Sequence, residues 1–279
     1  MPRTGDRQES TSAVGENDGS HSRGVFAPVE IAEAAADVRR PVRIVRHRTS
    51  GRVGIEVGGI GPADPSVDPA DGLERVGSLP PLYPEWLGDR TFNAVHGIRF
   101  PYIAGAMANG ISSQQFVVEA ARADILGVFG AAGLDLDQIE RGLASIDRQL
   151  DRDEDAWAAN IIRSPHGSDF ESELVDRLLD RGVETATASG FVEVTRPVVR
   201  YACSGLHTDG EGRIRRSNRL IAKVSRAEVA RRFAAPASGD LLDDLVDSGD
   251  LTRREASLAR EVPLAEDITA EADSGGHTD

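Results

Sequence analysis

The densest concentration of groups able to move protons is EADSGGHTD (271–279), where Glu271, Asp273, His277 and Asp279 surround the pair Gly275-Gly276. It follows an apolar strand-like run, and catalytic groups of α/β folds sit at the carboxyl ends of strands. Histidine exchanges a proton near neutral pH. Glycines ahead of it let backbone pass beneath a planar group while the imidazole points at that group. The plain alternative is a polar chain end. A second segment, GAMANGISS (105–113), lies between a strand-like run and a helical one. Gly105 and Gly110 permit close backbone approach to a flat ligand, and Asn109 and Ser112 offer polar caps; a strand-to-helix turn accounts for the same residues. VFGAAG (128–133) is a feature of the same kind at the next strand end.

Other chemistry is excluded by context. GIEVGGIGPADP (54–65) is glycine-rich, but Pro62 and Pro65 follow at once and no helix opens, so it lacks the helix N-terminus that a dinucleotide phosphate needs. Cys203 stands alone, which rules out an internal disulfide and a multi-cysteine metal site, and no spacing places a base beside it. His21, His47, His96 and His207 lack metal-ligand spacing, and no structural metal is expected. His166, in SPHG, follows a strand end and reads as a loop histidine. A G-x-S-x-G nucleophile elbow, which an acyltransferase would need, does not occur.

The elements that must position these groups follow from periodicity. Residues 1–24 have almost nothing to bury and read as a disordered tail. Residues 25–97 form an N-terminal extension: an Ala-rich stretch, a hairpin from VRIVRH and RVGIEVGG, and a wrap carrying six prolines between residues 61 and 84, which Tyr83, Trp86 and Phe92 pin to the neighbouring domain. From residue 98 onward, strand-like runs (FPYIAGAM, ILGVFG, WAANII, VETATAS, RLIAKV, EDITA) alternate with amphipathic helices. The segment VTRPVVRYACSGL fits neither pattern clearly, HTDGEGRIRRSN reads as a polar loop, and about 195–262 as an inserted loop and helical region. The alternation implies a parallel sheet with crossover helices. A doubly wound sheet and a (β/α)8 barrel both satisfy it.

The 279 residues carry 32 basic and 46 acidic side chains, a net charge of −14, with mean hydropathy −0.31. A chain this acidic is a poor nucleic-acid coat. It contains no apolar run of membrane-spanning length and no secretory h-region, so a cytoplasmic location is expected.

Taken together, GAMANGIS, AANIIRSP and AEDITAEADSGGHTD, in that order, resemble flavin-dependent enoyl reductases of the nitronate monooxygenase type. PPLYPEWLGDRTF, FGAAGL, SPH and RLIAKVSR narrow the resemblance to the PfaD type, which acts in trans with polyunsaturated fatty acid and polyketide synthases. The resemblance spans residues 78–279. It implies an FMN-binding TIM barrel that uses NADPH to reduce enoyl thioesters on an acyl carrier protein. Gly105, Ala106, Met107 and Ala108 match the first-strand loop beside the flavin, Asn160 the third-strand asparagine that contacts it, and Lys223 the end of the fifth strand. Gly275 and Gly276 match the close-approach glycines and His277 the active-site histidine, with Glu271 or Asp273 able to orient it. The same histidine in monooxygenase relatives is associated with deprotonating nitroalkanes, so nitronate monooxygenase is the alternative activity, and a non-catalytic remnant a third reading.

A (β/α)8 barrel takes roughly 250 residues and holds phosphate on the loops after strands 7 and 8. From residue 98 there are 182 residues and six strand-like runs. The expected architecture is therefore an incomplete barrel of about six βα units, inactive by itself, with a second chain as one possible source of strands 7 and 8. Residues 213–232 carry eight basic side chains against one acid, Glu228. Carrier proteins are typically acidic, so Arg215, Arg216 and Arg219 are candidate docking residues; a solvated face of paired arginines is the alternative.

Overall fold

The computed structural model describes residues 24–58, 72–151, 156–163 and 168–271, with Ser168 as backbone only. Its contacts divide the chain into two units between Pro84 and Glu85.

In the first unit, helix α1 (Pro28–Ala36) precedes strands β1 (Val42–His47), β2 (Val53–Val57) and β3 (Leu73–Leu79). They form an antiparallel sheet in the order β2-β1-β3. The alternating VRIVRH pattern yields β1, but Val42 and Val45 are both buried because a bulge at Ile44/Val45 shifts the pairing with β3. Strand β3 lies where only a proline-rich wrap was expected; the prolines end at Pro69 and resume at Pro80, leaving LERVGSL free to pair.

The second unit begins with α2 (Arg90–His96), capped by Asp89, whose carboxylate accepts from the Thr91 N–H at 2.8 Å. Strand and helix then alternate: β4 (Ile103–Ala104), α3 (Gln114–Arg122), β5 (Leu126–Phe129), α4 (Leu136–Asp147), β6 (Trp157–Ile162), α5 (Ser168–Asp180), β7 (Thr185–Ser189) and α6 (Arg196–Cys203). A small hairpin, β8 (His207–Thr208) with β9 (Ile214–Arg215), precedes β10 (Arg219–Val224). Helices α7 (Ala227–Phe233), α8 (Gly239–Asp247) and α9 (Arg253–Ala259) lead to β11 (Asp267–Ala270). The segment of unclear pattern is thus helical, started by a proline in its first turn and burying six of its eight residues. The expected polar loop contains the β8–β9 pair.

All six strands of the main sheet are parallel, in the order β4-β5-β6-β7-β10-β11. Each strand pairs with the next one made, with no reversal of order. A doubly wound sheet requires such a reversal. The main apolar core joins the helices to one face of the strands through Phe129, Ala159, Ile161, Ala186, Ala188, Leu220, Ala222 and Val224. With helices on one face only, the sheet curls and encloses the other, giving the expected incomplete (β/α)8 barrel.

The enclosed face is apolar at its lower end, where Leu126, Val128, Ala158 and Ile221 pack with Ile98 and Phe92. Helix α2 supplies Phe92, and its last residue, His96, hydrogen-bonds through Nε2 to Asp267 Oδ2 of β11 at 2.7 Å. The His96 side chain is fully buried and packs against Phe92, the two rings tilted at 49° with their centres 4.4 Å apart. This pair joins the floor of the barrel to its last described strand. Among the described residues, no helix is long and apolar enough to cross a membrane.

Candidate active site

Above that floor the inward residues change from apolar to polar. Strand alternation aims every second side chain inward, and at the carboxyl ends these are Asn160 and Ile162 of β6, Thr187 and Ser189 of β7, Ile221 and Lys223 of β10, and Thr269 of β11, followed by Glu271. With the loop Gly105–Ala108 they line a cavity of about 390 Å³. One wall is apolar (Ile103, Ala106, Met107 and Ala132) and the other carries the amide, the hydroxyls and the ion pair. This asymmetry suits a flat ligand with one polar edge.

The Gly105–Ala108 loop is held from beneath. Ser112, fully buried, accepts the Met107 N–H on its hydroxyl at 2.5 Å, and its carbonyl accepts the Gly130 N–H at 3.0 Å. Asn109, at φ +57°, donates its N–H to the Ala132 carbonyl at 2.7 Å. The two loops touch so closely that a Cβ on Gly130 would lie 2.0 Å from the Met107 carbonyl oxygen. Gly105 is different. Its φ is outside the left-handed region, and a Cβ there would meet nothing within 4 Å. Neither backbone strain nor packing demands glycine at 105; the absent side chain leaves space inside the cavity.

Asn160 is almost fully buried. Its Oδ1 accepts hydrogen bonds from Thr187 Oγ1 at 2.8 Å and Ser189 Oγ at 3.0 Å. The Lys223 ammonium lies 3.3 Å from Glu271 Oε2, and both side chains are about one-third exposed. Beyond β6, Arg163 forms an ion pair with the fully buried Glu171 carboxylate, which also accepts from Thr195 Oγ1 at 3.0 Å. Among the described residues, no cluster of histidine, cysteine and carboxylate groups is placed to hold a metal.

The structure therefore brings together Gly105, Ala106, Met107, Ala108, Asn160, Lys223 and Glu271. Asp273, Gly275, Gly276, His277 and the loop residue His166 lie outside the described residues. Thr187, Ser189 and Thr269 were not singled out in the sequence. The signal for the first two was present: in TATAS every second residue is a hydroxyl, the period of one strand face. Cys203 is buried, and burial pushes its thiol up to about 12, which leaves no nucleophile at neutral pH.

Arg215, Arg216 and Arg219 do not present free charge. Arg215 pairs with Asp209 at 2.8 Å, Arg216 with Glu266 at 2.8 Å and Arg219 with Glu184 at 3.0 Å. Arg216 is only 10% exposed in its side chain and also donates to the carbonyls of Pro263 and Leu264. The Arg213 N–H and then the Arg215 guanidinium hold the Asp209 carboxyl well below the usual carboxylate range. Arg219 opens β10, at the end opposite the cavity.

A half-barrel of parallel strands with its cavity at their carboxyl ends is the class that fold and site define. No family model matches the chain. It is 45% identical over 193 residues to a polyunsaturated fatty acid synthase polypeptide of Thraustochytrium, covering 69% of this chain and 13% of that protein. It is 39% identical over 195 residues to the polyketide biosynthesis protein PksE of Bacillus subtilis, covering 70% and 25%. Among solved structures, the enoyl reductase domain of MlnA, from the macrolactin biosynthesis cluster of Bacillus amyloliquefaciens, superposes with a TM-score of 0.65 at 36% identity, covering 67% of this chain and 43% of that one. The chain thus spans a quarter or less of these two curated relatives. It is a relative of these synthase proteins and fits the PfaD-like enoyl-reductase type that its motifs resemble.

Proposed function

We propose that this chain carries the FMN-facing part of an enoyl reductase, which uses NADPH to reduce enoyl thioesters on an acyl carrier protein in polyketide or polyunsaturated fatty acid biosynthesis. The observation that carries this reading is the cavity at the strand ends, whose Gly105 leaves room that the fold itself does not require. The residues present fit FMN. The Gly105–Ala108 backbone and the apolar wall suit the face of a ring system, while Asn160 and Lys223 suit its heteroatom edge.

FMN, when bound, would supply hydride transfer from the pyridine nucleotide to the β-carbon of the enoyl thioester. The chain's own residues bind and polarise. Asn160 would hold the ring edge through its side-chain amide. Lys223, steadied by Glu271, would supply a positive charge to the polar wall and stabilise negative charge on a group held there. His277, assigned by resemblance, stabilises the thioester carbonyl or delivers the proton to the α-carbon, with Glu271 or Asp273 as its orienting carboxylate. The likeness to the MlnA enoyl reductase domain supports this reading over nitroalkane oxidation.

The test is direct. The purified chain, incubated with FMN and desalted, is expected to retain flavin absorption near about 375 and 450 nm, while turnover with NADPH and an enoyl thioester is expected of the complete enzyme and not of this half-barrel alone. A colourless protein would refute the site as drawn, and a complete enzyme whose flavin is reduced by nitroalkanes but not by NADPH would redirect the assignment.

A further inference from the structure

The polar wall of the cavity has an order that the function above does not require. Asn160 on β6 stands opposite Thr187 on β7 in register, and Ile162 stands opposite Ser189. The two β7 hydroxyls therefore bracket the Asn160 amide from one side, at 2.8 and 3.0 Å from its oxygen. Ala188 between them and Ala186 before them face the helix core, so both hydroxyls are committed to the cavity side. Thr187 and Ser189 are 7% and 3% exposed, and neither has another acceptor for its proton among the described residues. Turning the amide over would place its NH2 against the hydroxyls and strand two buried hydroxyl protons without partners.

We infer that Thr187 and Ser189 are positioning residues that lock the Asn160 side chain with its carbonyl toward β7 and its NH2 toward the cavity. The site then offers a fixed donor at that point and selects a ligand with an acceptor there. A free asparagine would present either edge. Only the identity of that ligand rests on the flavin reading; the lock itself does not.

Two measurements on the full chain separate the parts. In ¹⁵N spectra, the Asn160 side-chain NH2 pair, assigned by its absence in Asn160→Asp, is expected to be one sharp set in the wild type. In the double variant Thr187→Val with Ser189→Ala it should broaden or double. Thr187→Ser with Ser189→Thr, which keeps both hydroxyls, should restore the sharp set. Unchanged signals in the double variant overturn the lock whether or not flavin binds. With FMN as probe, the double variant should bind about tenfold more weakly, about 1.4 kcal/mol, and shift the visible band of the bound flavin, with rescue by the conservative pair. FMN bound as tightly and with the wild-type spectrum would overturn the ligand-selecting role. A wild type that binds no FMN would count against the flavin reading, and the amide signals would still decide the lock.

Discussion

Gly105→Ala should separate binding from folding. Gly105 has no left-handed φ, and an added Cβ would meet no atom within 4 Å. An alanine in an unstrained position stabilises by roughly 0.4–1 kcal/mol through the unfolded chain. For a unit of this size that is a Tm higher by about 1–4 °C. The methyl group would occupy space in the cavity, and overfilling a packed site costs about 1–3 kcal/mol, or a loss of FMN affinity of roughly 5- to 150-fold. Thermal unfolding followed by circular dichroism reads the first quantity, and flavin fluorescence quenching the second. Gly130→Ala is the contrast. Its Cβ would lie 2.0 Å from the Met107 carbonyl oxygen and 2.8 Å from Ser112 Oγ, so the loop beneath the cavity must move and stability should fall by about 1–3 kcal/mol. If Gly105→Ala melted like Gly130→Ala, the glycine would be structural. If it bound FMN like the wild type, the space beside Gly105 would not be the ligand's.

Lys223 is the single cation among the described cavity-lining residues. Lys223→Met should weaken FMN roughly ten- to hundredfold, the worth of a charge-assisted hydrogen bond; an unchanged titration would detach Lys223 from the site. Cys203 should resist alkylation in the folded chain at pH 8 and react at once in urea. Because burial raises its folded pKa to about 12 against about 8.5 unfolded, its contribution is fully present below about pH 8.5 and lost as pH rises toward 12. Burial raises the Tyr201 phenol too, adding to the alkaline loss; Cys203→Ala should flatten part of that slope in denaturant titrations, and an unaltered slope would contradict the burial argument. His96→Ala removes a buried ring and its bond to Asp267, and should cost about 2–4 kcal/mol. Hydrogen exchange should rise first in β11, and β11 protection equal to that of the wild type would show that the pair does not hold the strand. Reversing Arg215 and Arg216 to Glu should melt the chain at lower temperature, since each loses a carboxylate partner; an unchanged Tm, with a higher KM for carrier-bound substrate alone in the complete enzyme, would favour the docking role instead.

The barrel half was legible because parallel strands buried on both sides read as short apolar runs, and its helices carry one apolar stripe each. Periodicity could not choose between barrel and doubly wound sheet. That choice lies in strand order, which tertiary pairing sets. The helix α6 was obscured for a related reason: six of its eight residues are buried, so no polar face marks its period. Strand β3 was hidden by the prolines on either side of it, which describe the segment's ends and not its middle.

The site shows the same division between what spacing records and what folding decides. Asn160, Lys223 and the Gly105 loop were singled out because their motifs resemble a known order, and the strand period brings them to one cavity. Thr187 and Ser189 carried a period-two signal, but small hydroxyls in a strand interior draw no attention until an amide is seen between them. The arginine cluster shows the reverse case, in which pairing is invisible along the sequence. Eight basic residues within twenty positions suggest a positive surface only if their counter-charges are counted along the same stretch. Glu184, Glu193 and Glu266 come from outside it and cancel Arg219, Arg232 and Arg216 across neighbouring strands and loops. Charge summed along a sequence is a local quantity, whereas the field at a surface belongs to the fold. The cavity also lies at the opposite end of β10 from Arg219, so a carrier docked on that arginine would have to deliver its thioester past the whole length of the strand.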